Sequence, residues 1–286
     1  MAEIFGVVAG AVSLAALFNN CVDSFEYIQL ARHFGDEFGR CQLKIDILKL
    51  RLSRWGEAAS INEGTRYPPD DKLAQQIRSI LEEIGFLYQA IQKSCKRYEI
   101  NATEEQLQLY TDSDLGPVVR SVHTKLGEIT QRRQKKTSLA KKARWALYDG
   151  KQLERLIDQA KEFLEDLEAL VPVESQRQDL AKQEVECLND APSLELMAEC
   201  AQSTDIILAQ TIEVTIQSNE VHNTIIGALN TTDSARVFIG NQLSSDFDSA
   251  RSLNEQTRNS ANSVQAEGTS RLHVGNTYGG RSFWDD

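Results

Sequence analysis

The chain is short of the residues that staple small folds, ligate metals or bind phosphate. It has five cysteines, Cys21, Cys41, Cys95, Cys187 and Cys200, an odd set with no C-x-x-C pair. That excludes a disulfide framework and a structural zinc site, and it fits a reducing, intracellular setting. Lys and Arg number 31 against 42 Asp and Glu, and the formal net charge of -11 argues against general nucleic-acid binding. The four histidines are scattered, and no H-E-x-x-H, G-x-S-x-G, P-loop or G-x-G-x-x-G pattern occurs. No enzymatic activity and no cofactor are indicated. No proline follows Pro192 and no lysine follows Lys182, and beyond about His222 the texture differs from the rest.

What is present over residues 1–222 reads as an all-α domain. From Gly39 to Trp55 the apolar residues Ile45, Leu48, Leu52 and Trp55 recur at helical steps, with Lys44, Lys49, Arg51 and Arg54 between them. After Pro68-Pro69 a stripe from Leu73 to Tyr98 predicts a second, longer helix. Val118, Val122, Leu126 and Ile129 predict a third, and Leu153 to Leu170 another, stopped by Pro172. Shorter pieces follow at 180–200 and 206–216, and no alternating stretch interrupts them. Glu162, Glu165, Asp166 and Glu168 read as the soluble face of their helix.

The first segment is of another kind. Residues 4–22 are uncharged, and as one helix they would span roughly 28 Å, close to a bilayer core. The apolar residues Ile4, Val7, Val8, Val12, Leu14, Leu17 and Phe18, with Gly6 and Gly10 in G-x-x-x-G spacing, suit either a protein core or a bilayer. A signal peptide is disfavoured because no basic residue precedes the run, and a permanent anchor because no cationic flank follows it. The segment is read as packing against the helical body or inserting into a membrane, conditionally. A basic patch, Arg132, Arg133, Lys135, Lys136, Lys141, Lys142 and Arg144, stands without an intervening acid. It reads as a solvated helix face, an attraction for anionic lipid, or a nuclear-localisation signal.

Residues 223–286 are rich in Asn, Ser, Thr and Gly and cannot bury enough apolar surface to fold alone. Within them Ser234 to Asn241 reappears as Thr269 to Asn276, 35 residues on. The two copies occupy about 224–243 and 259–278. At that offset Leu229 pairs with Val264, Ala235 with Ser270, and Ile226 with Ala261, while Asn259 falls opposite Thr224. Val237, Ile239, Leu272 and Val274 alternate onto one face, which predicts strands, and Arg236 and Arg271 lie on the other. Gly240-Asn241 and Gly275-Asn276 supply corner residues. Two coils leave both ends open, so stacking between molecules is the arrangement that satisfies them.

These twin motifs, together with Tyr278, Phe283 and Trp284 in the ending YGGRSFW, resemble the prion-forming domain of fungal HET-s/HET-S proteins. FGVVAGAVSLAALFNNCVDSFEYIQLARHFG near the start, RLSRWGEA at 51–58 and RRQKKTSLAKKARWALYDGK at 132–151 resemble that family's HeLo domain. The resemblance implies a helical HeLo domain and a tail that is disordered when soluble and a two-coil-per-molecule β-solenoid as amyloid. It further implies heterokaryon incompatibility, with a fibril templating the tail and the ordering releasing the first segment into the membrane. Asp23 and His33, in a stretch with no proline before Pro68, fit the toxin-competent type. Implied partners are the chain itself, related tails, membrane lipid on activation and a nucleotide-binding receptor with a similar motif. The implied location is cytoplasmic when soluble and the plasma membrane on activation. The charged pairs of the family's prototype repeats are missing here: the stacked positions are Gly227 with Asn262, Thr232 with Glu267 and Ser234 with Thr269. The competing readings are a non-lytic prion partner, a helical adaptor with a floppy tail, and an unrecognised enzyme.

Overall fold

The computed structural model describes residues 12–63, 66–134, 145–188, 190–239 and 256–274. The chain divides into two units, Met1–Ile212 and Glu213–Asp286. The division falls inside a helix, ten residues before the expected boundary.

The first unit is built from helices α1 (Leu14–Ser24), α2 (Phe38–Ala58), α3 (Lys72–Asn101), α4 (Pro117–Arg133), α5 (Gly150–Leu170), α6 (Glu174–Glu186), α7 (Ala191–Ala201) and the start of α8 (Ile206–Asn219). Their starts are chemically marked. Ser13, Asp71 and Asp190 accept from the amides of Ala16, Ala74 and Ser193, and Pro117 stands in the first turn of α4, where its missing N–H costs nothing.

The amphipathic expectation for α2 is corrected. Not only Ile45, Leu48, Leu52 and Trp55 but also Ile47, Leu50, Lys49, Arg51 and Arg54 are buried, because α2 packs against α1, α4, α5, α6 and α7 and has no wide solvent face. The body is helical as expected, with one short strand pair that the sequence did not announce. Strand β1 (Ile28–Leu30) pairs in parallel with β2 (Trp145–Leu147), Ile28 opposite Trp145 and Leu30 opposite Leu147. Three residues, all buried in β2, are too few to show an alternation.

The first segment is not one helix from 4 to 22. Ser13, in an extended conformation, caps α1, so Val12 and Ser13 lie outside the helix. Ile4, Gly6, Val7, Val8 and Gly10 fall outside the described residues. Among the described residues no helix is long and apolar enough to cross a membrane.

The second unit, beyond the end of α8, consists of strands β3 (Glu220–Thr231), β4 (Arg236–Ile239), β5 (Gln256–Ala266) and β6 (Arg271–Val274). β4 pairs in parallel with β6, Arg236 opposite Arg271 and Val237 opposite Leu272, which is the 35-residue offset. The downstream half of β3 keeps that offset on β5, with Leu229 opposite Val264. Upstream of a bulge between Ile225 and Ala228 the offset becomes 36. This corrects two expected pairings. Ile225, not Ile226, is opposite Ala261, and Asn223 is opposite Asn259, so the two asparagines share a rung after all.

Candidate functional site

Sequence assigns function to the seat of α1 and to the paired strands of the tail, and the structure adds an arginine cluster on α2.

The seat of α1 is apolar on its inner side. Leu17, Phe18, Cys21 and Val22 are buried, and Phe18 meets Trp55 at 6.2 Å between ring centroids, tilted by 56°. The tip of the Phe18 ring abuts Gly56, where a Cβ would come within 2.0 Å of Cζ. Polar contacts fix the ends: Arg78 Nη2 donates to Val12 O (2.9 Å), Cys21 Sγ to Leu81 O (3.3 Å) and Asn19 Nδ2 to Asn62 Oδ1 (2.8 Å). Asp23 is buried and accepts from Gln134 Nε2 at 2.8 Å, which ties the end of α1 to the end of α4. His33 lies in a short 3-10 segment between β1 and α2. Three buried polar atoms on or beside α1 lack a protein hydrogen-bond partner: Asn19 Oδ1, Trp55 Nε1 and Tyr88 OH, the last packed edge-on against Phe25. Such atoms cost about 1–3 kcal/mol each, so this seat is held by shape more than by bonding. Gly56→Ala is therefore expected to lower stability by about 1–3 kcal/mol, read as a shift in denaturant midpoint, because the new methyl and the Phe18 ring claim one space.

The arginine cluster went unread in the sequence. Arg54, with its side chain 1% exposed, holds two carboxylates at 2.7 Å, Glu184 on α6 and Asp205 just before α8. Arg133 at the end of α4 joins Glu184. One turn earlier Arg51 grips Glu168 of α5 through Nε and Nη2 (2.9 and 2.8 Å) and donates through Nη1 to Thr204 O (2.9 Å). Arg177 of α6 adds an ion pair to Glu168 at 2.6 Å. Burial alone would raise the carboxyl groups. The facing guanidiniums, chiefly Arg54 for Asp205 and Arg51 for Glu168, outweigh it and hold both below their ordinary values. Two expectations are thereby corrected. Glu168 is not part of a solvated face, and Arg133 of the basic patch is a structural ion-pair partner rather than a free surface cation. Arg132 sits in the exposed last turn of α4, and Lys135, Lys136, Lys141, Lys142 and Arg144 lie outside the described residues. The signal that could have found the cluster is the placement of Arg51 and Arg54 on a helix whose apolar residues Ile45, Ile47, Leu48, Leu50 and Leu52 occupy more than one face.

In the tail, the paired repeats share a corner that sequence reading did not assign. Asp233 (φ 60) and Gly268 (φ 71), 35 residues apart, both adopt the left-handed conformation, and a Cβ on Gly268 would lie 3.0 Å from Asp233 O. Glu267, Thr269 and Arg271 donate their amides to the carbonyls of Thr231, Asp233 and Ala235 at 2.7–2.8 Å, carrying the parallel ladder through the corner. Thr231 is buried, with its hydroxyl 3.1 Å from that of Ser270. Val237, Leu272 and His273 are half-buried and Arg236 and Arg271 exposed. Leu229, Ile239, Ala261, Val264 and Val274 are placed on their strands by backbone register, and Ile226 falls in the bulge of β3, outside that register. Gly240, Asn241, Gly275, Asn276, Tyr278, Phe283 and Trp284 lie outside the described residues.

Both halves match known families. A model described as prion-inhibition and propagation, the HeLo domain, matches residues 6–197, and the Het-s 218-289 model matches residues 216–279. The chain belongs to the HET-s/HET-S family. Heterokaryon incompatibility protein s of Podospora anserina is 43% identical and heterokaryon incompatibility protein S 42% identical, each over the full length of both chains. The solved HET-S N-terminal domain superposes with a TM-score of 0.73 at 46% identity, covering 76% of this chain and 99% of that one. A doubly substituted HET-s N-terminal domain gives a TM-score of 0.70 at 45% identity, covering 72% and 99%. In this HET-s/HET-S family member the HeLo match covers α1 and most of the helical body, and the Het-s match begins at residue 216, within α8.

Proposed function

We propose that this protein is an amyloid-triggered, membrane-permeabilising effector of fungal heterokaryon incompatibility. A fibril of the chain itself, or of a related tail, templates residues 223–286 into a two-coil β-solenoid. The ordering loosens the helical body, and the segment 4–22 leaves its seat for anionic lipid.

The observation that carries this reading is the continuity of α8 with β3. The helix ends at Asn219 and the strand begins at Glu220, so one uninterrupted stretch serves the helical body at its start and the paired strands at its end. Growth of the strand toward its N-terminus takes residues from the helix, because one backbone cannot make both ladders. The twin corners at Asp233 and Gly268 and the register of Arg236 with Arg271 support a tail that stacks copy upon copy. The absence of proline around Asp23 and His33 supports the toxin-competent type. In this reading the soluble form is cytoplasmic, the active form is at the plasma membrane, and a nucleotide-binding receptor with a similar motif is a natural source of the first template.

The test is dye release from anionic liposomes by soluble full-length protein, with and without preformed fibrils of residues 218–286. Release only when fibrils are added is expected. Recruitment of the tail onto the fibrils without release would refute the membrane step and leave a non-lytic prion partner.

A further inference from the structure

The segment RLSRWG on α2 belongs to a motif that the family resemblance singled out and to which the proposed function assigns no task. Its side chains divide by direction. Arg51 and Arg54 reach the residues immediately before α8: Arg51 Nη1 donates to Thr204 O at 2.9 Å, and Arg54 donates to both carboxylate oxygens of Asp205 at 3.2 and 2.7 Å. Trp55 and Gly56, the next two residues, form the wall against which Phe18 of α1 packs. Six consecutive residues of α2 thus hold the root of the tail-bearing helix with one set of side chains and the first helix with another.

The two grips differ in kind. Around Arg54 every group is charged and paired at short range, and Thr204 and Asp205 are 1% and 2% exposed. Removing one member of such a buried ion cluster leaves its neighbours desolvated and only partly paired, so the change is felt across the cluster. Around Phe18 the fit is steric and incompletely bonded, with Trp55 Nε1 and Asn19 Oδ1 buried without protein partners. A small rotation or shift of this α2 segment closes the space that the Phe18 ring occupies, since Gly56 has no room even for a methyl group.

The geometry points to Arg51, Arg54 and Asp205 as positioning residues that couple α8 to α1: loss of the Asp205 grip moves the Arg51–Gly56 segment and unseats Phe18. This deepens the proposed function and rests on it for the source of the pull, but the coupling itself lies wholly within the helical unit. The pull enters through α8, whose Leu208 amide is capped by the same Asp205 carboxylate at 3.2 Å, so unwinding α8 and releasing Arg54 are one event at one side chain.

The test variant is Asp205→Asn, which keeps a capping oxygen for Leu208 but removes the charge facing Arg54. Its comparator is an α4 core truncation, Ile129→Val or Leu126→Ala, chosen to match its loss of stability by denaturant midpoint. Amide hydrogen exchange of soluble full-length protein, without fibrils, is read over residues 14–24. The coupling predicts about tenfold faster exchange across α1 in Asp205→Asn than in the matched truncation. Equal rates in the two would overturn it, because generic destabilisation would then account for everything. Fibrils of the same chain are then added to the unsubstituted protein. Loss of protection in α8 followed by α1 is expected, whereas α1 staying protected after α8 has lost protection would also overturn the coupling. Failure of dye release with α1 nonetheless exposed would defeat the membrane step and leave the coupling standing.

Discussion

Full-length protein carrying Val237→Pro is expected to lose templated assembly while its helical body melts as the unsubstituted protein does. Val237 sits in β4 opposite Leu272, beside the rung where the Arg271 amide donates to Ala235 O at 2.8 Å. In a parallel ladder the amide of Val237 is the next donor in the opposite direction, and proline deletes it and crowds the neighbouring strand. In a stack each copy presents this rung to the next, so the defect recurs in every molecule and does not dilute out. Thioflavin fluorescence and sedimentation after seeding should both stay at baseline, and fibril-triggered dye release should vanish. The adaptor reading gives the opposite result, since a floppy tail tolerates proline. Seeded assembly at the ordinary rate in Val237→Pro would rule out β4 as part of the assembling core.

The second large effect belongs to Arg54. Arg54→Met leaves Glu184 and Asp205 facing each other in a site where both are at most 2% exposed. Breaking a buried pair by removing one partner costs about 3–5 kcal/mol, which for a unit of this size lowers the melting temperature by on the order of 10 °C. Arg133 and Arg51 remain as partial partners for the two acids, so the loss should fall short of complete unfolding. Adding Glu184→Gln and Asp205→Asn to Arg54→Met should recover part of the loss, because the uncompensated charges are then gone. Calorimetry checks both steps. A loss below about 1 kcal/mol for Arg54→Met would mean that water reaches the cluster and screens it.

The two residues chosen for these predictions stand at opposite ends of what sequence reading could reach. Val237 was legible because a repeat repeats its chemistry. The same R-hydrophobic-x-hydrophobic-G-N string 35 residues apart announces equivalent positions, and strand pairing at that offset follows from alternation alone. The pairing upstream was misjudged by one residue because a bulge between Ile225 and Ala228 changes the offset, and no residue there is special enough to mark it. The corner at Asp233 was hidden for a related reason: its partner in the second copy is Gly268, and two different residues that adopt positive φ do not look like a repeat.

Arg54 was misread because helical periodicity reports which side of a helix is apolar, not how many neighbours surround it. A charged residue between apolar ones is usually on a solvated face. On α2 the polar flank is covered by α6 and by the turn before α8, and the charges pair there instead of facing water. Glu168 was misassigned for the same reason, since its partners Arg51 and Arg177 lie on other helices.

By itself, then, the sequence determined the number and rough limits of the long helices, the separation into a helical body and a repetitive tail, the pairing offset of the strands, and the family. Each is written in local spacing or in identity between segments, which need no partner to be read. The tertiary structure alone decided that α2 lies at the centre, that Phe18 rests on Gly56, that β1 finds β2 more than a hundred residues away, and that Arg54 joins α6 to the root of α8. These are contacts between segments distant in the chain, and no periodicity within one segment encodes which surface another will cover.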